Sequence, residues 1–526
     1  MNIRIKASLI LLSFIPILAL KACNQDNKIE KQAPNILFIA VDDLKPTLGC
    51  YGDNNAITPN IDKLAAEGTL LASNYCQQAV CAPSRVSLFT GLRPEKTGVW
   101  DLKTRMRSVN PDVVTLPEYL LSNGYETAGL GKLIHGAKNN DPQSWSIPNK
   151  TDENLIYAEG FIYPAHGKYQ AEESQKVYLD AKEKKLNNLD ARSLMIEENV
   201  YPYAEFLDVP DDAYSDGAIA TEGIKMLESF SESEKPFFLA LGFHKPHLPF
   251  VAPKKYYDLY ENTPFKIHPF PEHAKNSPEL AYSGWGELRK YSGVPLEGRL
   301  DDELQLELIR SYYAAVSYVD AQIGRVYEKL EELGLADNTI VILWGDHGWH
   351  LGDHGLWCKH TNFEQATKSP FIISAPGYPK GQISNSMTEF VDIFPTICDL
   401  SGLEIPDELQ GESLVPIVKD QKHVVKEYSI SQYPRGKKTM GYSLRTNRYR
   451  LTWWVNFDYR NVSENIEEYD VEFVELYDYE VDPNETVSKA GLEDYKEVEF
   501  ELSEMMNEYL KSQFGELLFE NMGDVK

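Results

Sequence analysis

The residues of this chain best suited to chemistry stand in the segment Cys81-Ala82-Pro83-Ser84-Arg85, which is followed by Val86 to Thr90 and Gly91. Proline near the first helical position fixes φ, and serine can cap free backbone N–H groups, so the segment predicts a turn that leads into a helix. Cys81 would then lie at the positive end of the helix dipole, where free N–H groups favour an anion. The local pattern also allows an ordinary buried cysteine.

Other polar side chains directly follow apolar runs that are typical of buried strands. The run from Asn35 to Val41, for example, is followed by Asp42 and Asp43. Because open α/β sheets bind ligands at the carboxyl ends of their strands, one crevice could gather the whole set. Each member taken alone also fits a solvated turn or a structural role. The set comprises Asp42, Asp43, Cys81, Arg85, Lys132, His135, His244, Asp346, His347 and Lys359.

Six segments together resemble the type I sulfatases, and within that family the iduronate-2-sulfatase group. The cysteine segment is highly specific, and the other segments are weaker individually. The resemblance covers essentially the whole chain after the first 33 residues. Its segments are Ala40-Val41-Asp42-Asp43-Leu44, Gln78-Ala79-Val80-Cys81-Ala82-Pro83-Ser84-Arg85, Gly131-Lys132, Gly242-Phe243-His244-Lys245-Pro246-His247, Gly345-Asp346-His347-Gly348-Trp349 and Ser431-Gln432-Tyr433-Pro434-Arg435.

The resemblance implies that a maturation enzyme, the formylglycine-generating enzyme, oxidises Cys81 to formylglycine. The hydrated aldehyde would attack the sulfur of a sulfate ester. One Ca²⁺ would be held by the residue at position 81 with Asp42, Asp43, Asp346 and His347. Carboxylate oxygens suit calcium, whereas an imidazole is unusual for so hard an ion.

Three cations receive roles from the same resemblance. Arg85 and the metal would lower the cost of ionising one hydroxyl of the hydrated aldehyde. Lys132 and Lys359 would hold the sulfate oxygens and stabilise the charge that they share in the transition state.

The resemblance also assigns proton transfer and sugar contact. His244 would protonate the departing alkoxide, and His135 would take the proton of the second hydroxyl and so release sulfate. The two histidines could exchange these roles, because both have an ordinary pKa close to neutral pH. Trp349 and His350 would lie near the sugar.

The predicted reaction is hydrolysis of sulfate esters of a carbohydrate, a sulfated oligosaccharide or polysaccharide. The 2-O-sulfate of a uronic acid in a glycosaminoglycan or a similar polysaccharide is the predicted target. A sulfated algal polysaccharide is an alternative, since the regions that select the sugar are the least readable part of the chain. Phosphonate or phosphodiester hydrolysis is another alternative. If Cys81 stays unmodified, the chain would be a non-catalytic binder of sulfated glycans.

The elements that must position these residues alternate between buried strands and helices. This pattern indicates an α/β fold with a large mixed sheet covered by helices on both sides, alkaline-phosphatase-like by resemblance, over residues 34–415. Residues 416–526 are predicted to form a C-terminal subdomain with a small antiparallel sheet and a helix. Two less regular regions, about 139–214 and 251–299, are predicted to form a substrate rim and a lid or binding wall.

Composition restricts the partners. The chain has 526 residues, 42% hydrophobic residues and a formal net charge of −28. Its length and apolar content suffice for a large core. The negative charge argues against nucleic acid and against anionic membranes as general partners. An anionic substrate therefore needs a local cationic pocket, for which Arg85, Lys132 and Lys359 are the candidates.

Residues 1–22 predict an export signal, with Arg4 and Lys6 before the apolar run from Ala7 to Leu20. That run is too short to favour a stable bilayer-spanning helix. The segment Leu20-Lys21-Ala22-Cys23 resembles a bacterial lipoprotein cleavage box, which implies a lipid anchor at Cys23 and a periplasmic or cell-surface location. Plain secretion is the alternative. Residues 23–33 are predicted to form a flexible tether.

Overall fold

The computed structural model describes residues 33–136, 140–456, 459–460 and 470–514. The predicted signal (residues 1–22), Cys23 with its predicted lipid anchor, and the tether up to residue 32 lie outside the described residues. The strands are β1 (Asn35–Val41), β2 (Thr69–Tyr75), β3 (Glu126–Gly131), β4 (Ile147–Lys150), β5 (Ala204–Leu207), β6 (Phe237–Phe243), β7 (Phe250–Pro253), β8 (Thr339–Gly345), β9 (His350–Leu351), β10 (Trp357–Cys358), β11 (Phe371–Ser374), β12 (Gln382–Glu389), β13 (Tyr428–Arg435), β14 (Thr439–Thr446), β15 (Tyr449–Asn456) and β16 (Asp470–Asp478). The α-helices are α1 (Pro59–Ala66), α2 (Cys81–Thr90), α3 (Pro94–Thr97), α4 (Met106–Val109), α5 (Leu116–Ser122), α6 (Glu172–Glu183), α7 (Asn188–Glu197), α8 (Ser215–Phe230), α9 (Lys254–Asp258), α10 (Asp302–Glu332), α11 (Glu364–Thr367), α12 (Ile393–Ser401), α13 (Val415–Lys419) and α14 (Lys496–Phe514).

The largest sheet has eight strands in the order β12-β2-β11-β8-β1-β6-β3-β4. Strand β1 lies at its centre and runs parallel to both β6 and β8. Strand β11 is antiparallel to its neighbours β2 and β8. The sheet is therefore mixed, which confirms the predicted fold class.

The central strand is covered on both faces. Every residue of β1 is buried, which explains its unbroken apolar sequence. Leu37 and Ile39 belong to the apolar core that also contains the buried stripe of α10. Phe38 points to the other face, where its ring centroid lies 5.8 Å from that of Phe89 in α2. Burial of each such side chain stabilises the fold by about 1.5–3 kcal/mol.

The register of the parallel strands brings their carboxyl ends to one edge of the sheet. Val41 of β1 pairs with Phe243 of β6 and with Gly345 of β8. Gly131 of β3 pairs with Gly242 of β6. The residues that follow these four strands must therefore lie side by side.

The second sheet is antiparallel, with four strands in the order β13-β14-β15-β16. Helix α14 packs Leu502 and Met506 against its apolar face, in the cluster that contains Leu451. Trp454 and Tyr477 of the same sheet join the main core instead. The described residues from Pro34 onward form one compact unit, and the boundary predicted after residue 415 stays a prediction.

None of the helices in the described part of the chain has the length and apolar composition that a bilayer-spanning segment needs. The cysteines at positions 50, 76, 81, 358 and 398 are all free thiols.

Candidate active site

Strand register places the first group of predicted site residues. Asp42 follows β1, and its N–H donates to the carbonyl of Phe243 at 3.1 Å. Asp346 follows β8, and its N–H donates to the carbonyl of Val41 at 3.2 Å. Lys132 follows β3, and its N–H donates to Gly242 at 2.8 Å. The polar side chains after these strands therefore meet because the backbones continue to pair.

Cys81 is the first residue of α2 and is buried beneath a cavity. Its Sγ lies 3.5 Å from Nε2 of His347 and 3.5 Å from Nζ of Lys132. The predicted helix start is confirmed. A group at position 81 is therefore held by a helix N-terminus, an imidazole and an ammonium, all of which favour negative charge.

Arg85 lies below the cavity, with none of its side chain exposed. Its guanidinium donates to the carboxylate of Asp42 at 3.0 Å and to that of Asp346 at 2.9 Å. It also donates to the carbonyl of Leu133 at 3.1 Å. The predicted action of Arg85 on the attacking hydroxyl stays a prediction, and the contacts of its guanidinium fix the two carboxylates in position.

The buried carboxylates form a donor set that fits a divalent cation. Ligand atoms of Asp43, Cys81, Asp346 and His347 all lie within 4.8 Å of one another, and Asp42 forms an overlapping group with Asp43. Burial raises the pKa of Asp43 to about 6, despite the nearby cations. Crowded negative charge in a dry site is costly, and a hard cation would relieve that cost.

Opposing charges also act on Asp42 and His347. Burial would raise the pKa of Asp42, but Lys132, His247 and Arg85 outweigh burial and hold it well below the usual value. Burial would lower the pKa of His347, but Asp346 and position 81 raise it to about 9. The charged side chains of the protein therefore create a strong electrostatic field in the site.

Lys132 and Lys359 supply the positive charge at this edge. Nζ of Lys132 contacts the carboxylate of Asp42, and Nζ of Lys359 lies 2.8 and 2.9 Å from the two oxygens of Asp43. Burial opposes charge on both lysines, but the adjacent carboxylates outweigh it and raise both pKa values. Both ammonium groups are therefore charged and fixed in place.

Three histidines line the cavity with Cys81, namely His135, His247 and His360. Burial, assisted by the charge of Lys132, lowers the pKa of His135 to about 4. Nε2 of His247 lies 3.0 Å from the carboxylate of Glu287. His135 is therefore neutral at physiological pH. Burial, with the charge of Lys359, also lowers the pKa of His247, although Asp43, Asp42 and Glu287 oppose that shift.

His244 has a different environment from the one expected for the acid that protonates the leaving group. Its Nε2 forms an ion pair with Asp152 at 2.9 Å, and it does not contribute to the cavity lining. Burial opposes its charge, but Asp152 outweighs burial and raises its pKa. Of the two histidines in the motif His244-Lys245-Pro246-His247, only His244 is among the residues predicted from the sequence.

Trp349 and His350 do not lie where a sugar could contact them. Trp349 is buried, with Nζ of Lys359 5.0 Å from its ring centroid. Both ring nitrogens of His350 are bonded internally, to Asp353 and to Thr361. Neither residue lines the cavity, so this geometry gives no support to their predicted contact with the sugar.

The cavity has a volume of about 610 Å³, within the usual range for small-molecule sites. Both irregular regions of the sequence contribute to its wall. Glu287 is its one carboxylate among the described residues, and its pKa is held well below the usual value, because Lys359 and His247 outweigh the effect of burial. The lining residues are Cys81, Leu102, His135, Lys168, Arg192, Tyr201, His247, Ser283, Gly284, Trp285, Gly286, Glu287, Lys290, Tyr291, Lys359 and His360.

Comparison with known proteins agrees with this fold and site. The family model named Sulfatase matches residues 34–403, and the model of the C-terminal part of N-sulphoglucosamine sulphohydrolase matches residues 352–512. Iduronate 2-sulfatase of Mus musculus is 33% identical over 547 residues, which cover 90% of this chain and 94% of the relative. A sulfatase of Formosa agariphila is 31% identical over 487 residues, which cover 89% of this chain and 86% of the relative.

Solved structures share the fold at lower identity. A protein in complex with its substrate D-glucosamine-2-N,6-O-disulfate is similar with a TM-score of 0.68 and 23% identity, covering 94% of this chain and 100% of the other. The phosphonate monoester hydrolase of Agrobacterium radiobacter gives a TM-score of 0.67 at 22% identity, covering 91% and 96%. Likeness at these identities shows the fold alone.

The mixed sheet with helices on both faces defines the fold class as alkaline-phosphatase-like α/β. Within that class, the chain belongs to the sulfatase family and is a sulfuric ester hydrolase.

Proposed function

We propose that this sulfatase removes the 2-O-sulfate of a uronic acid in a glycosaminoglycan or a similar sulfated polysaccharide, with formylglycine formed from Cys81. The observation that carries the proposal is the position of Cys81, at the floor of a cavity and 3.5 Å from both Lys132 and His347. The identity of 33% to iduronate 2-sulfatase over most of the chain supports the substrate class.

A hydrated aldehyde at position 81 would supply the nucleophile for sulfur, and Ca²⁺ would supply a Lewis acid that favours ionisation of its hydroxyl. Asp42, Asp43, Asp346 and His347 would hold that ion. Arg85 keeps two of these carboxylates in place, which lowers the cost of organising the site before substrate arrives.

Lys132 and Lys359 receive the sulfate oxygens. Their ammonium groups are fixed by Asp42 and Asp43, so little reorganisation is needed when charge develops on the transferring group. This local positive charge also explains how a chain of net charge −28 admits an anionic ester.

Two histidines move the protons. His135, with a pKa of about 4, is neutral and can accept the proton of the second hydroxyl. His247 lines the cavity and, when protonated, can donate a proton to the departing sugar oxygen, while Glu287 at 3.0 Å opposes the lowering of its pKa by burial. We assign the acid to His247 rather than to His244, because His244 is paired with Asp152.

The reaction takes place outside the cytoplasm in this proposal. The segment of residues 1–22 predicts export, and Cys23 predicts a lipid anchor at the cell surface or in the periplasm. A formylglycine-generating enzyme would act on Cys81 before the chain folds around it.

Turnover by the matured protein tests the proposal. The panel contains a disaccharide with a 2-O-sulfated uronic acid, a 6-O-sulfated glucosamine, a sulfated algal oligosaccharide and a phosphonate monoester. We expect the highest kcat/KM with the 2-O-sulfated uronic acid, none with Cys81→Ala and wild-type rates with Cys50→Ala. Faster hydrolysis of any other member would refute the assigned substrate.

A further inference from the structure

The cavity contains a second group of cations besides the lysines assigned to the ester sulfate. Lys168, Arg192 and Lys290 line it. Within the described part of the chain, none of the three forms an ion pair with a carboxylate.

Lys168 is fixed by a pair of stacked tyrosines, Tyr201 and Tyr291. Its Nζ donates to their hydroxyl groups at 3.0 and 2.9 Å. The two rings stack with centroids 5.1 Å apart, and Nζ lies 5.2 Å from each centroid. Both tyrosines are buried, with at most 5% of their surface exposed. The ammonium is therefore positioned by aromatic rings and hydroxyls rather than by an anion.

This arrangement leaves donors available toward the cavity. An ammonium has three N–H donors, and two of them are used by the tyrosine hydroxyls. The hydroxyls accept from Lys168 and still offer at least one O–H of their own. A lysine N–H and a tyrosine O–H in one place are suited to the oxygens of a carboxylate or a sulfate.

The charge balance also favours an incoming anion. Burial, with the neighbouring cations Arg192, Lys132 and Lys359, lowers the pKa of Lys168 to about 7. The nearby Glu287 opposes this shift only partly, because it already pairs with His247 and Lys359. A partly buried cation without a carboxylate partner is costly to keep charged, and an anion bound beside it would reduce that cost.

We propose that Lys168, Tyr201 and Tyr291 bind a second anionic group of the saccharide, a carboxylate or a further sulfate, while the ester sulfate lies at position 81. Arg192 and Lys290 attract the same group. The inference rests on the proposed function and deepens it, because two anion sites in one cavity select the sugar and the sulfate position together. An ester sulfate on a ring that lacks the second anion would bind more weakly.

Equilibrium binding tests the subsite without turnover. Cys81→Ala protein is titrated calorimetrically at pH 6, where Lys168 is charged, with three sugars. These are a 2-O-sulfated uronic acid, its carboxyl-reduced analogue and glucosamine bearing two sulfates. Lys168→Met is introduced into the same protein, and Lys176→Met, an exposed lysine of α6, is the matched control.

With Lys168 present, we expect the sugar with a second anion to bind about 10- to 100-fold more tightly than the carboxyl-reduced analogue. Lys168→Met should reduce that preference to below about 3-fold, while Lys176→Met keeps it. Tyr291→Phe keeps the stacked ring and should also reduce the preference for the sugar with a second anion. It therefore tests the subsite even if the lysine variant misfolds. If Lys168→Met weakens binding of the uronic acid, the second anion is a carboxylate. If it weakens binding of the disulfated sugar, the second anion is a sulfate.

Equal affinities of the Lys168→Met and Lys176→Met proteins for all three sugars would overturn the inference. A Lys168-dependent preference in binding, together with no turnover of any sulfate ester by matured protein, would instead refute the proposed reaction and leave the anion subsite in place. The two failures are therefore distinguishable.

Discussion

His244 and His247 follow the same strand three residues apart, but they face different partners. His244 pairs with Asp152, whereas His247 faces the cavity and Glu287. An identical side chain can therefore be structural at one position and chemically available at the other. The difference lies in which carboxylate reaches the ring, and sequence spacing does not contain that information.

His247→Gln tests the assignment of the leaving-group acid. A sugar alkoxide needs a proton as it departs, whereas a nitrophenolate does not, so the variant should lose about 10²- to 10⁴-fold in kcat on sugar sulfate and much less on nitrophenyl sulfate. His244→Gln is the matched variant and should affect the two substrates equally. Selective loss of sugar sulfate hydrolysis in His244→Gln would reverse the assignment.

His135 makes a prediction about pH. Its pKa of about 4 means that the neutral base is present above that value and is lost as pH falls through it. The rate of sulfate release should therefore fall on acidification through about pH 4, and His135→Gln should lack this acidic limb. Single-turnover measurements of sulfate release against pH, for the wild type and for His135→Gln, would show whether this acidic limb is present. An acidic limb near the ordinary histidine value of 6.5 would contradict the assignment.

At the scale of elements, strand register is what assembles the site. The sequence predicts β1 and β6 with their observed bounds, because strands buried on both faces are continuous apolar runs with clear ends. The confirmed helix start at Cys81 follows from the turn chemistry of Pro83 and Ser84. The structure of the polar region before residue 214 is harder to predict from the sequence, because α6 and α7 are held by tertiary contacts and carry many charges. Nothing in the residue spacing of this region shows that Lys168 and Arg192 face the cavity.

Gly242→Ala tests the contact between β6 and the segment after β3. A Cβ at position 242 would lie 2.1 Å from the carbonyl oxygen of Lys132, so the backbone that carries this lysine must move. Displacement by about 1 Å can cost about 10²-fold in rate. We expect a large loss of kcat with the far-ultraviolet circular dichroism retained. Wild-type kcat in this variant would show that the position of Lys132 tolerates the shift.

At the scale of the whole molecule, the small sheet supports, through Arg450, the segment that follows Lys359. The side chain of this residue is 1% exposed and pairs with Glu364 at 2.6 Å and Glu485 at 2.8 Å. It also donates to the carbonyl of Asn362 at 2.8 Å, three residues after Lys359. The second sheet therefore fixes a segment that carries one of the two lysines at the active site.

Arg450→Leu should lower the free energy of unfolding by about 3–5 kcal/mol, because the buried carboxylate of Glu485 loses its cationic partner and Glu364 keeps only Arg445 and Lys368. Urea unfolding measures the change. Arg299→Leu is the control, since Arg299 and its partner Asp302 are both exposed, and this variant should unfold close to the wild-type midpoint. Equal midpoints for the two variants would mean that the buried network adds nothing to stability.

The central claim is that Cys81 becomes the catalytic aldehyde, and mass spectrometry of the peptide containing it, from protein matured in its own host, tests the claim most directly. Conversion of the thiol to formylglycine predicts a loss of about 18 mass units at this residue, with an unchanged mass at Cys76 in the same digest. An unmodified thiol at position 81 in fully matured protein would contradict the account, and the chain would then be a binder of sulfated glycans rather than an enzyme that hydrolyses them.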